Sequence, residues 1–416
     1  MQQELAHLAI HQTALVLRVN NKYTANLFRG VHLNTVTLLL FCFFAIYSFI
    51  SLGIVFLLAI NVDSIDDHLP GSEEGTHQPG TTLSVIIPCR NEANDIRGCI
   101  DSVLNQDYTG LEVIVADGNS EDGTWEILQS YGDRIKIIRE SERPTGWTGK
   151  NWGAFLGYKE SRGEILLFVD GDMVLTRETV STTVRSMLHE NTDLLSLGPK
   201  MVMKGFWEKL MLPLFAQFIM LLYMPPLMNR DRGRVAMANG QYMMMKREAY
   251  EKCGTHRAIR EKIVEDVNLA KLFRKNGMKI RFYWASGYLS TRMYRNRGEL
   301  WEGVVRDIQG EVGRKYHIHL AGILYLAFTF YLPFWMMYYS IFDGSLLLLA
   351  VSSLSLVFVI LRMLIFQIGT GSPAYIALLF PVSIGIYLLI STSAFLRAVA
   401  GFKVLWKDRK YSMTGD

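Results

Sequence analysis

The stretch Ile165-Leu166-Leu167-Phe168-Val169-Asp170-Gly171-Asp172 sets an uninterrupted apolar run directly against two carboxylates one residue apart. Such a short run of large apolar residues, bounded by polar ones, suits a strand buried on both faces of a parallel sheet. Side chains at i and i+2 of an extended segment point the same way, so Asp170 and Asp172 share one side of the strand's carboxyl end. Buried without a cation, the pair suffers desolvation and repulsion; a divalent metal that also binds a diphosphate relieves both. A surface turn closed by local hydrogen bonds also fits Asp-Gly-Asp, and the triplet alone leaves both readings open.

Working outward, Leu83 to Pro88, Leu111 to Ala116 and Ile135 to Ile138 read as further strands. Ile96, Ile100, Val103 and Leu104 share one helical face, and a second helical pattern runs from Lys150 to Lys159. Alternation of this kind predicts an α/β domain with a mostly parallel, Rossmann-like sheet covered by helices. Ligands of open α/β sheets sit at the carboxyl ends of strands. Pro88-Cys89-Arg90-Asn91-Glu92 and Ala116-Asp117-Gly118-Asn119-Ser120 occupy two such ends, each before a helix. Glu92 and Asp117 there either cap and close turns or accept hydrogen bonds from a ribose hydroxyl or a pyrimidine N–H. In Thr145-Gly146-Trp147-Thr148-Gly149-Lys150-Asn151-Trp152, a glycine-containing loop can bring Lys150 to phosphate, although the pattern is not a P-loop. Val264-Glu265-Asp266-Val267 opens another helical pattern; acids favour a first turn for dipole reasons, and a carboxylate there can equally act as a general base on an acceptor hydroxyl.

Composition bounds the rest. Apolar residues make up 50% of the 416, which calls for a membrane component. A net charge of +4, from 43 basic and 39 acidic residues, gives no nucleic-acid footprint. Cys42, Cys89, Cys99 and Cys253 have no zinc-like spacing and read as free, apolar thiols. Residues 33–62 form an apolar run long enough for an uncleaved transmembrane anchor, and 319–399 hold three more spans broken at Asp343 and at Gly369-Thr370-Gly371-Ser372-Pro373. Arg362 alone interrupts these spans, and a lone arginine near a helix end can snorkel to the interface. The remaining divisions are an N-terminal segment (1–32), an acidic linker (63–81), the working domain (82–318) and a basic tail (400–416). Within the domain, 206–228 is apolar and split by Pro213 and Pro225-Pro226; it suits an amphipathic helix in the membrane interface, with a buried core helix as the alternative.

Taken in order, Pro-Cys-Arg-Asn-Glu, Asp-Gly-Asn-Ser, Gly-Lys-Asn, Asp-Gly-Asp, Asn-Gly-Gln-Tyr and Glu-Asp resemble the family-2 inverting glycosyltransferases of GT-A fold over 82–318. Gly146 to Trp152, Tyr294 to Trp301 and Trp406 to Tyr411 look most like carotenoid- and hopanoid-associated members and, more distantly, ceramide glucosyltransferase. The resemblance implies that Pro88, Arg90, Glu92, Asp117, Lys150 and Asp170 hold a nucleotide sugar, with a UDP-sugar expected. It implies that Asp170 and Asp172 hold Mg²⁺ or Mn²⁺, that Asp266 is the catalytic base, and that Asn239, Gly240, Gln241 and Glu265 lie beside the acceptor. Where relatives carry Q-x-x-R-W, this chain has Arg292 to Trp301, so Arg295 or Arg297 with Trp301 is expected to stand in.

The expected reaction moves one sugar to a hydroxyl of a membrane lipid in an integral, multi-pass protein whose catalytic domain faces the cytoplasm. Arg306, Arg314 and Lys315 agree with that orientation, whereas Arg18, Lys22, Arg29 and the stretch Arg397 to Lys410 oppose it by the positive-inside rule. A polyprenyl-phosphate glycosyltransferase, a processive polysaccharide synthase and a non-catalytic nucleotide-sugar-binding scaffold are the alternatives. Base dependence, product length and donor hydrolysis respectively separate them.

Overall fold

The computed structural model describes residues 35–68, 80–140, 142–231, 233, 235–313, 315–402, 404–406 and 409–411. Arg18, Lys22, Arg29, Arg314, Lys407 and most of the acidic linker fall outside the described residues. Ten strands matter for the site: β1 (Leu83–Cys89), β2 (Leu111–Asp117), β3 (Lys136–Arg139), β4 (Ile165–Val169), β5 (Met173–Leu175), β6 (Leu194–Gly198), β7 (Lys200–Met201), β8 (Tyr242–Lys246), β9 (Ile280–Trp284) and β10 (Leu289–Thr291).

Seven of them form one sheet in the order β3-β2-β1-β4-β8-β6-β9. All neighbours are parallel except β8, which runs antiparallel between β4 and β6. The expected mostly parallel α/β domain is therefore present. Both faces of the sheet are buried: Val85, Ile87, Leu167 and Val169 enter one apolar cluster, while Ile86, Leu166 and Phe168 enter another. That alternation is the period of two acting on strands with no polar face. Helices Ile96–Leu104 and Gly149–Glu160 lie where the apolar spacing predicts them. A small sheet, β5-β10-β7, continues from the end of β4, with Met173 opposite Thr291.

Among the described residues, five helices are long and apolar enough to cross a membrane. Thr35–Ile60, Tyr316–Asp343, Leu346–Gly369 and Ala374–Val399 match the expected anchor and three further spans. The fifth, Phe206–Tyr223, is the segment read as interfacial; 56% of its most apolar window is buried within the protein. It ends at Met224, a non-glycine residue at φ 47, where Pro225 follows and excludes continued helix.

The chain falls into two compact units. One comprises Phe56–Ile323 with the described part of Leu364–Asp416, and holds the sheets. The other comprises the described part of Met1–Val55 with Leu324–Met363. In the latter Arg362 does not snorkel: it is 2% exposed, sits 4.3 Å from the Phe330 ring centre and donates to Ser51 Oγ at 2.6 Å. Turning inward to a ring and a hydroxyl replaces the interface as its polar environment. Cys89, Cys99 and Cys253 are buried free thiols, and Cys42 is a half-buried one.

Candidate active site

The carboxyl ends of β1 and β2 are stitched to each other. Gly118 N–H donates to Cys89 O at 2.8 Å, Asn91 N–H to Ser120 Oγ at 2.9 Å, and Glu92 N–H to Thr124 Oγ1 at 2.9 Å. Arg90 Nη1 reaches across to Asn119 O at 2.7 Å. Asn91 and Asn119 adopt left-handed backbone (φ 53 and 59), which asparagine tolerates better than most residues. The helix beyond Glu92 begins only at Ile96, so Glu92 and Asn91 stand in the loop before it.

At the end of β4 a lysine joins the acids. Lys150, one residue into its helix, places Nζ 2.7 Å from Asp170 Oδ1 and 2.7 Å from Glu265 Oε1. Thr148 accepts from Asn151 N–H and starts that helix, so the cap fixes where Lys150 points. Burial works against the charge on Lys150, but Asp170 and Glu265 outweigh it and keep the ammonium charged. Burial pushes Asp170 up to about 6; Lys150 opposes the shift, while Asp172 and Glu265 add to it. Asp172 is likewise raised by burial, against the hydrogen bond that Thr291 Oγ1 donates to its Oδ2 at 2.9 Å.

Next to Glu265, Asp266 receives Gly240 N–H on Oδ2 (2.7 Å) and Val267 N–H on Oδ1 (2.8 Å). Burial, reinforced by the neighbouring Glu265, holds Asp266 well above the ordinary carboxylate range. Glu265, although burial pushes it the other way, is held below that range by Lys150. Two adjacent carboxylates are thus driven apart, one fixed as a charge and one poised to exchange a proton. A Cβ at Gly240 would lie 2.6 Å from Glu265 Oε1 and 3.0 Å from Lys150 Nζ, so only glycine fits between the two acids and the lysine. Asn239 and Gln241 brace that glycine through Gln241 N–H to Asn239 Oδ1 at 3.0 Å.

The strand-end acids, Lys150 and the Gly240 turn border one cavity of about 470 Å³. Pro88, Arg90, Glu92, Asp117, Lys150, Asp170, Asp172, Asn239, Gly240, Gln241, Glu265 and Asp266 line it, as does Arg295. Arg297 and Trp301 do not. Arg297 is the exposed first residue of helix Arg297–Val312, and Trp301 lies beside Leu389, Leu396 and Phe402. Arg295 at the rim pairs with Asp95. The rest of the lining comes from elsewhere in the chain: Phe215, Ile219 and Tyr223 from helix Phe206–Tyr223, Trp284 from β9, and Arg306 and Glu311 from helix Arg297–Val312. Tyr223 O–H donates to Glu311 Oε1 at 2.6 Å. No contiguous motif marks these residues; the only sequence signal was the apolar character of 206–228.

Against known proteins, residues 84–254 match the family described as Glycosyl transferase family 2. This stretch resembles a family-2 glycosyltransferase domain. The matched span runs from β1 through β8 and so takes in the strand-end motifs, the acid pair and helix Phe206–Tyr223; Asp266, Trp284, Arg306 and Glu311 lie beyond it. The chain is similar to the 4,4'-diaponeurosporenoate glycosyltransferase of Staphylococcus haemolyticus (26% identity; 51% of this chain, 57% of that one). It is similar at the same identity to the protein of that name from Staphylococcus aureus (59% of this chain, 65% of that one). The chain thus spans about three fifths of the length of these curated relatives. A solved mannosyltransferase from Pyrobaculum calidifontis, in complex with GDP-Man and Mn²⁺, matches with TM-score 0.47 and 16% identity over 88% of this chain and 99% of that one. At that distance the likeness says nothing of donor or metal here.

Proposed function

We propose that this glycosyltransferase moves a single sugar from a nucleotide sugar, in the first place a UDP-sugar, to a hydroxyl of a membrane lipid, with inversion at the anomeric carbon. The observation that carries the reading is the Lys150 clasp: one ammonium holds Asp170 of the acid pair and Glu265 beside Asp266 against the same cavity.

The acid pair suits a hard divalent cation. Among the described residues no group of three His, Cys, Asp or Glu side chains could hold a metal. Two carboxylates fit Mg²⁺ or Mn²⁺, which complete their shells with water and substrate phosphate. Asp172, oriented by Thr291, and Asp170 would hold it, and the bound ion would neutralise charge on the diphosphate. The chain's own groups supply the rest. Glu92 and Asp117, at the ends of β1 and β2, hold the nucleoside. Asp266, its proton affinity raised by burial and Glu265, accepts the acceptor's hydroxyl proton. The oxygen then attacks the anomeric carbon from the face opposite the departing diphosphate, and Arg295 at the rim faces the charge that builds there.

A lipid acceptor is supported by the lining that the helices contribute. Phe215 and Ile219 come from a helix whose Phe218 packs 5.0 Å from Tyr387 of the apolar helix Phe380–Val399. Helix Arg297–Val312 is tied to that same apolar helix by Arg397 to Glu302 contacts of 2.7 and 2.9 Å. An acceptor with a long apolar tail can therefore enter along apolar surface and present its hydroxyl to Asp266. The relatives named for diaponeurosporenoate, a carotenoid, agree with this acceptor class. A cytoplasmic catalytic domain follows from where nucleotide sugars are made.

The test is incubation of purified full-length protein with radiolabelled UDP-sugars and a lipid extract. Label should enter a lipid-soluble product, and excess chelator should abolish it. Transfer to water-soluble alcohols, with polyisoprenoid, carotenoid, sterol-like and sphingoid alcohols ignored, would overturn the reading.

A further inference from the structure

The last apolar helix, Phe380–Val399, qualifies as a span by length and hydropathy, yet both of its ends lie against the unit that holds the sheets. Helix Tyr316–Asp343 leaves that unit at Tyr316, and after the Gly344-Ser345 connection helix Leu346–Gly369 returns beside it, with Arg362 against Phe330. Three residues past Gly369, Ser372 Oγ donates to Lys209 O at 3.1 Å, near the start of helix Phe206–Tyr223. At the far end of the apolar helix, Arg397 pairs with Glu302, and the Phe395 ring stands edge-on to Tyr316 with centres 6.3 Å apart. The helix therefore ends where the first long C-terminal helix begins.

Its middle is held as well. Phe380, Ile384, Tyr387, Ile390, Ala394 and Ala398 are buried and recur at three- and four-residue spacing, which is one face of a helix. That face meets Phe218 through Tyr387, Gln309 through Ala394 O at 3.2 Å, and Ile263 through Ala398. The opposite stripe carries Val382, Leu389 and Leu396, seven residues apart and all exposed. Trp301 and Phe402 extend the apolar surface beside Leu389 and Leu396.

A helix of 20 residues is about 30 Å long, the thickness of the hydrocarbon core, so one that crossed would carry its two ends to opposite faces. Here the start, middle and end all meet helices that carry Lys209, Glu302, Arg306 and Glu311, charges that keep to the aqueous side. We propose that Phe380–Val399 does not cross but lies in the leaflet facing the sheet-bearing unit, its inner face on protein and its outer stripe in lipid. Thr35–Ile60, Tyr316–Asp343 and Leu346–Gly369 are then the crossings, and the chain after Val399 emerges on the domain's own side. Arg397, Arg409 and Lys410 thereby join Arg306 and Lys315 on one side, so the basic end supports the orientation that it opposes if the helix crosses. This inference goes beyond sugar transfer and does not depend on it.

The experiment places full-length protein in sealed vesicles, with Cys42→Ala and one new exposed cysteine in each variant. Asp133→Cys marks the sheet-bearing unit, Asp343→Cys the turn between the two long helices, and Ala400→Cys the end of the helix in question. Cys89, Cys99 and Cys253 are buried, which leaves the new thiol as the reporter. A membrane-impermeant maleimide should label Ala400→Cys from the same face as Asp133→Cys, and Asp343→Cys from the other face alone. Labelling of Ala400→Cys from the Asp343→Cys face would overturn the proposal, and so would its protection from both faces until detergent is added. Spin labels at Val382, Leu389 and Leu396 give an independent reading. They should share one depth in the bilayer, whereas a crossing helix would spread the outer two over about 21 Å. Such a spread would equally overturn the proposal, and neither result bears on whether sugar is transferred.

Discussion

The two walls of the cavity are built on different principles. The wall proposed for the donor consists of the ends of β1, β2 and β4, where each strand delivers a short contiguous motif to the sheet's carboxyl edge. The wall proposed for the acceptor is assembled from helix Phe206–Tyr223, the end of β9 and helix Arg297–Val312, and each element contributes only isolated side chains. The short contacts follow the same division: Lys150 is locked to Asp170 and Glu265 at 2.7 Å, whereas Phe215, Ile219 and Trp284 add apolar surface on the other side beside Arg306 and Glu311. A wall of strand ends fixes reacting groups; a wall of helix faces leaves shape and polarity adjustable. Substitutions on the first should therefore strike turnover, and those on the second recognition.

The most severe test of that division is Asp172→Ala. Removing one of the two carboxylates proposed to hold the cation should forfeit several kcal/mol of charge stabilisation, or about 10³-fold or more in kcat. Affinity for the lipid acceptor should be nearly unchanged. Steady-state kinetics with acceptor varied at saturating donor and metal measures both. Near-normal turnover would break the assignment of Asp172 and dissolve the distinction between the walls.

Asp266→Asn sharpens the comparison, because Asp266 sits where the two walls meet. Loss of a general base costs about 10²- to 10⁴-fold in rate. Its pH dependence is more telling. Burial and Glu265 raise the Asp266 pKa, so native activity should fall with acidification above the usual carboxylate range. Stability should not fall with it through this group: the folded state binds the Asp266 proton more tightly than the unfolded chain does, so protonation there favours folding. Rate profiles and thermal melts across the acid range check this together. An acid limb that persists unchanged in Asp266→Asn would assign it to another group, Asp170 first.

The same contrast explains what could be read from the chain. β1 to β4, their helices and the carboxylates Glu92, Asp117, Asp170 and Asp172 announce themselves because apolar strand runs and strand-end clusters are local patterns, and Asp266 does so as an acid in the first turn of a helical pattern. Gly240 was legible as part of a motif, but its reason was not: the space it leaves for Glu265, Asp266 and Lys150 exists only after β8 turns antiparallel beside β4. Arg297 and Trp301 are expected at the site because relatives carry Q-x-x-R-W in the corresponding region. Helix Arg297–Val312 instead directs Trp301 toward Leu389 and Leu396 and presents Arg306 and Glu311 to the cavity, a matter of helical phase that Arg292 to Trp301 alone does not set. Tyr223, Trp284 and Glu311 share no motif and meet only through packing.

Tyr223→Phe is the gentlest break and the most specific to the acceptor wall. The phenol donates to Glu311 at 2.6 Å and closes a contact between helices Phe206–Tyr223 and Arg297–Val312 without touching the acid pair. Phenylalanine keeps the ring in place and removes only that donor. Glu311 is half-buried, so water replaces part of what is lost, and the net effect should fall below that of a fully buried hydrogen bond to a charged group, at about 1 kcal/mol. If Tyr223 and Glu311 shape the acceptor's entrance, KM for the lipid should rise by about threefold to tenfold with kcat and donor affinity held. A fall in kcat with KM unchanged would place Tyr223 on the catalytic side, within reach of Asp266, and the boundary between the walls would then run through the helix rather than beside it.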